Sequence, residues 1–101
     1  MELREDPFRA IADPTRRAIL AALSARPLAV HEIAERFDVS RPAISKHLRV
    51  LGDAGLVAAR RAGKENVYEL RREAFAPVAE WLSGFWVGRL NLLKEMAERR
   101  T

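Results

Sequence analysis

The sequence predicts a mainly α-helical domain with a small β-hairpin, ordered as four helices, two strands and a long last helix. Three observations predict it. Asp6-Pro7, Asp13-Pro14 and Ser40-Arg41-Pro42 each set a capping side chain just ahead of a first-turn proline. The side-chain oxygen accepts a free backbone N–H there, and proline has none to leave unpaired. Apolar residues then recur at helical spacing up to residue 54 and again beyond 72, while the period changes between 56 and 70. Of 101 residues, 49% are apolar and 32% charged, the balance of a folded, helix-rich chain rather than a disordered one.

The first helix is expected from Pro7 to about Ala12, with Phe8 and Ile11 inward. The second runs from Pro14 to about Ser24, with Ile19, Leu20 and Leu23 on one face, and Ala25-Arg26-Pro27 ends it. None of the three capped starts carries Glu or Gln at N3, so none is a full capping box. The third helix spans about Val30 to Phe37, where Val30, Ile33, Ala34 and Phe37 share a face. Asp38-Val39 is a short turn. The fourth helix opens at Ser40 and runs to about Ala54, burying Ile44, Leu48 and Leu51, and Gly55 closes it. Leu56–Arg61 and Asn66–Leu70 are two short strands, with the turn at residues 62–65 and Gly63 free to take a positive φ. The last helix runs from about Arg72 to Arg99.

Two helices joined by so short a turn have the geometry of a helix-turn-helix, and the hairpin that follows makes a wing. The whole of residues 1–101 then forms one winged helix-turn-helix domain: helix-turn-helix at about 30–54, wing at about 56–70 and last helix at about 72–99. In this arrangement the second helix of the pair lies in the major groove of duplex DNA, its N-terminal part at the base edges. Its outward face is Arg41, Pro42, Ser45, Lys46 and Arg49. Ser45 suits a base edge or a phosphate, Arg41 suits guanine or phosphate, and Lys46 and Arg49 suit phosphates. His47 falls on the helix face near the phosphates. Arg60, Arg61 and Lys64 on the wing would position the protein without reading much sequence.

Charge distribution agrees. The chain carries a net +4, yet residues 41–72 hold eight Lys/Arg against three acids, so the remainder is about neutral. There is no cysteine, which removes disulfides and thiolate chemistry and fits a reducing, cytoplasmic setting. No apolar run approaches the length of a membrane span, and the acidic N-terminus is not a signal peptide. No nucleophile–base pair, phosphate loop or metal set marks an enzyme, and no cofactor is expected.

The last helix carries more apolar surface than a small domain needs. Phe75, Val78, Leu82, Phe85, Leu93 and Met96 form a stripe, with Trp81 and Trp86 beside it. Aromatic anchors of this kind are enriched at protein interfaces. Phe8, Val78, Trp81, Leu82, Phe85, Trp86 and Leu93 are therefore expected to hold two copies together as a homodimer. Gly84 and Gly88 sit mid-helix, where each costs roughly 1 kcal/mol against alanine and close helix approach is one compensation.

The segments Ala12–Leu20 (ADPTRRAIL), Val39–Leu51 (VSRPAISKHLRVL) and Ala54–Val57 (AGLV) resemble the ArsR/SmtB winged-helix repressors. The resemblance covers about residues 5 to 98 with order and spacing kept. It implies a homodimer held by the first and last helices and bound to an inverted repeat at a promoter. It carries DNA contact onto Arg41, Pro42, Ser45 and Lys46, with proline at 42 departing from the polar residue often found there. It implies no metal site. The family's cysteine pair entering the third helix is replaced by Ala29 and His31, and the last helix has no histidine. One His cannot supply the three or four ligands of a zinc-like site. The chain thus looks closer to the cysteine-free members that act as autorepressors or respond to something other than metal, and no residue pattern names an effector. The alternative reading is a winged-helix protein-interaction module that does not read DNA. An acidic or apolar outward face on the fourth helix would favour it, and neither is present.

Overall fold

The computed structural model describes residues 6–99, apart from the side chains at 86, 87, 89 and 90. In chain order it contains α1 (Pro7–Ala10), α2 (Pro14–Ala25), β1 (Leu28–Ala29), α3 (Val30–Arg36), α4 (Arg41–Asp53), β2 (Val57–Ala62), β3 (Glu65–Leu70), a 3-10 turn (Arg72–Phe75) and α5 (Ala76–Arg99).

All three capped starts form as their sequences dictate. Asp6 Oδ1 accepts from the Arg9 amide at 2.9 Å, Asp13 Oδ2 from Arg16 at 2.9 Å, and Ser40 Oγ from Ala43 at 3.2 Å. Each satisfies one orphan N–H of its first turn. A fourth cap has a different form. Ala29 has no polar side chain, but Glu32 Oε1 reaches back to accept the Ala29 N–H at 3.0 Å, half of a capping box. α4 ends in a Schellman motif. Gly55 takes φ +79°, its N–H bonds Gly52 O at 2.9 Å, and the Leu56 N–H bonds Leu51 O at 3.0 Å. The turn thereby points Leu56 and Val57 back into the core.

The sheet is larger than the hairpin expected from sequence. It has three antiparallel strands in the order β1-β3-β2. β3 is central: Val57 pairs with Leu70 and Ala62 with Glu65 on one side, while Leu28 pairs with Tyr68 and Ala29 with Val67 on the other. The hairpin turn is Gly63-Lys64, with Gly63 at φ +63° and the Gly-first pattern of a type II′ turn.

The last helix is not continuous from Arg72. Pro77 has no N–H to offer the Glu73 carbonyl, and its ring would crowd that carbonyl in an unbroken α-helix. Residues Arg72–Phe75 therefore form a 3-10 turn before α5 begins.

The core gathers the inward faces of α2, α3 and α4 with the base of the sheet. Ile19, Leu28, Ile33, Ile44, Leu48, Leu51 and Leu56 are its largest fully buried side chains. Each contributes about 1.5–3 kcal/mol by burial. α5 packs mainly on the 3-10 turn and α1 and then projects. The molecule measures 64 × 35 × 22 Å, with a radius of gyration of 17.8 Å where a compact chain of this length has about 13 Å.

Candidate nucleic-acid interface

The helix-turn-helix is built by α3 and α4 with residues 37–40 between them. Burial of Ile44, Leu48 and Leu51 fixes the rotation of α4 about its axis. That rotation leaves Arg41, Pro42, Ser45, Lys46 and Arg49 exposed together on the opposite side. Side chains at 41, 45 and 49 stack one above another, one turn apart. No hydrogen bond or ion pair within the described residues ties down Arg41, Ser45, Lys46 or Arg49. The surface is polar, cationic and available.

His47 is placed differently. It lies on the flank of α4, its side chain only 21% exposed, against the N-terminus of α2. Its Nδ1 is 3.4 Å from Arg16 Nη1 and 4.0 Å from Asp13 Oδ2. Arg16 is itself anchored: its Nε donates to Ala10 O at 2.6 Å and its Nη2 to Arg9 O at 3.4 Å. Its amide hydrogen bond, with smaller help from the nearby His47 and Arg16 charges, holds the Asp13 carboxyl below the usual carboxylate range. Neither Asp13 nor Arg16 was legible as a neighbour of His47, because the contact joins residues 31 apart in sequence. The only local signal was the Asp13 cap.

On the wing, Arg60, Arg61 and Lys64 are exposed. Arg60 and Arg61, being adjacent in β2, point to opposite faces of the ribbon. Arg61 also turns back to the Gly63 carbonyl at 3.2 Å. His31, on α3, makes a close hydrogen-bonded contact with Glu65 at the start of β3, linking the helix-turn-helix to the wing. Arg26 pairs with the capping carboxylate of Glu32 at 3.0 Å.

The second exposed surface runs along α5. Trp81 is 55% and Phe85 62% exposed, and Leu82, Leu92, Leu93 and Met96 are exposed beside them. Phe8 of α1 meets Trp81 edge-on at 5.7 Å, and Trp81 meets Phe85 edge-on at 4.9 Å. Val78 departs from this group. It is 6% exposed within the single chain and has almost no surface left to offer a second copy. The Trp86 side chain lies outside the described residues. A shallow groove of about 240 Å³ is lined by Leu70, Arg72 and Phe75 at the base of the sheet, not among the α5 aromatics.

Residues 13–59 match the family model described as bacterial regulatory protein, arsR family. The chain is 47% identical over 84 residues to the HTH-type transcriptional regulator Rv2034 of Mycobacterium tuberculosis, covering 83% of this chain and 78% of that one. It is 37% identical over 78 residues to the transcriptional repressor SdpR of Bacillus subtilis, covering 77% and 87%. Among solved structures it resembles the homodimeric winged helix-turn-helix DNA-binding domain Mb0332 of Mycobacterium bovis, with a TM-score of 0.66, 29% identity and 82% and 77% of the two chains covered. This chain belongs to the ArsR family.

ArsR-family proteins are transcription regulators rather than enzymes, and the fold is the winged helix-turn-helix of that family. Against this frame the ligand positions stand out. Where the family resemblance looks for a cysteine pair, this ArsR-family chain has Ala29, a residue of β1, and His31, already engaged with Glu65. Among the described residues no three or more His, Cys, Asp or Glu gather to hold a metal ion. No helix among them is long and apolar enough to cross a membrane.

Proposed function

We propose that this ArsR-family chain is a homodimeric repressor that reads an inverted-repeat operator with α4. The carrying observation is the free cationic face of Arg41, Ser45, Lys46 and Arg49, held outward by burial of the opposite stripe. Arg41 and Ser45 serve as base-edge contacts near the N-terminus of α4. Pro42 packs beside them. Lys46 and Arg49, with Arg60, Arg61 and Lys64 of the wing, neutralise phosphates. Phe8, Trp81, Leu82, Phe85 and Leu93 join two copies into one single-domain dimer, setting the two α4 helices about one DNA turn apart, roughly 34 Å. The cytoplasm is the compartment in which this work is done. The release signal is not a metal held by a cysteine pair, since alanine replaces one ligand position and the other is a histidine paired to a carboxylate.

The test is a mobility-shift titration of genomic promoter fragments against excess random DNA. One fragment, including the chain's own promoter, is expected to bind at least 10³-fold more tightly than random sequence. Equal affinity for all fragments would sink the reading. Within a bound fragment, Arg41→Ala is expected to cost about 1–3 kcal/mol and to relax preference at one base pair in each half-site.

A further inference from the structure

Arg16 joins three things at once. Its Nε and Nη2 donate to the carbonyls of Ala10 and Arg9 that end α1, and its Nη1 faces His47 Nδ1 on α4. A guanidinium carries donors only. His47 Nδ1 must therefore present a lone pair to it, and the ring proton of the neutral imidazole then sits on Nε2. The opposite tautomer would set N–H against N–H, and the carboxylate that might accept it, Asp13 Oδ2, is 4.0 Å away. Nε2 itself has no hydrogen-bond partner among the described residues. No buried side-chain nitrogen or oxygen among them is left unpartnered, so Nε2 reaches solvent.

We propose that Arg16 is a positioning residue for DNA binding: it fixes His47 as the Nε2–H tautomer and orients that N–H as an uncharged donor to a DNA phosphate. The inference rests on the operator-binding reading above. It separates His47 from its neighbour Lys46, although the two are adjacent in sequence. A lysine that neutralises a phosphate releases counterions, and removing it lowers the slope of log affinity against log salt by about 0.9. A neutral imidazole releases none. Its loss weakens binding and leaves the slope unchanged.

Two measurements test this on the full chain. Ring-nitrogen NMR of the free protein at pH 8, where an ordinary histidine is neutral, is expected to show His47 protonated at Nε2 and bare at Nδ1. A proton on Nδ1 overturns the geometry. Affinity for a DNA fragment bound by the wild type is then measured across salt for His47→Asn, Arg16→Lys and the double variant. Asparagine keeps an acceptor near the Nδ1 position but lacks the distal donor. Lysine keeps the charge but not the fork. Each single variant is expected to weaken binding at least about tenfold, the worth of one hydrogen bond to a charged acceptor, with the wild-type salt slope. The double variant is expected to lose the same total as either single variant, not the roughly 100-fold of independent effects. Additive losses, a slope reduced by about one, or wild-type affinity in His47→Asn would each overturn the inference while DNA binding itself stands. A wild type that binds no DNA fragment overturns the operator reading and the phosphate contact together.

Discussion

Two helices of this molecule carry the same kind of pattern and end in opposite states. α4 presents Ile44, Leu48 and Leu51 on one face, and all three are buried to within 1%. α5 presents Trp81, Leu82, Phe85, Leu92, Leu93 and Met96 on one face, and every one is 44% exposed or more. The difference lies in the surroundings, not in the helices. α2, α3 and the sheet supply α4 with a groove inside the chain, whereas α5 runs past the end of everything that could cover it. Its apolar residues fall in three pairs eleven positions apart, 81 with 92, 82 with 93 and 85 with 96. Eleven residues make close to three helical turns, so the stripe stays on one side along the whole rod. Amphipathic spacing therefore tells which side of a helix is covered. It does not tell whether the cover comes from the same chain.

Substitutions on the two helices should separate stability from association. The largest effect is expected from Leu48→Ala, which empties a site 1% exposed and should cost about 2–5 kcal/mol in urea unfolding. Trp81→Ala should act on the other side of the comparison. It is expected to weaken the dimer by about 2 kcal/mol in sedimentation equilibrium while the helical circular dichroism of the subunit persists. An unchanged association constant would remove α5 from the interface.

Gly88 sharpens the point further, because it lies on the same stripe between Phe85 and Leu92. A Cβ there meets nothing within 4 Å in the single chain. Gly88→Ala should thus favour the isolated helix by about 1 kcal/mol and yet weaken the dimer, if a second helix approaches at that glycine. A dimer that tightens instead would show that the partner passes elsewhere. The smallest effect belongs to the packed half. Asp13→Ala should cost about 1 kcal/mol through the lost cap. Because the folded Asp13 carboxyl sits below its ordinary range, its contribution is full above about pH 4 and is lost as pH falls through the lowered folded value. Asp13→Asn should accordingly flatten the acid limb of the stability curve, measured by urea melts between pH 3 and pH 6.

The elements that sequence reasoning located share one property: their signals are local. Asp6, Asp13 and Ser40 mark helix starts because the cap and its amide are three residues apart. Gly55 and Gly63 mark ends and turns because only glycine takes positive φ cheaply. What was missed is either too short or too distant. β1 is two residues after a proline and has no periodicity to detect. Its pairing with Val67 and Tyr68 crosses nearly 40 positions. The 3-10 turn before α5 did leave a trace in Pro77, and the apolar stripe that starts at Phe75 masked it. Within the candidate site, the outward face of α4 follows from its inward one, so Arg41, Ser45, Lys46 and Arg49 were legible together. The Arg16–His47 contact was not, since nothing in residue type says which arginine of Arg16-Arg17 turns towards α4.

The proposed reading face and the proposed pairing face occupy separate elements, α4 with the wing against α1 with α5. A subunit damaged only at Arg41 and Lys46 would still find partners through its intact terminal rod. In a cell holding equal amounts of both kinds of copy, about half the dimers would then be mixed and only about a quarter wholly intact, and a mixed dimer grips one half-site where two are needed. Such alleles should behave as dominant poisons of the wild type, whereas alleles that spoil Trp81 should be silent in its presence.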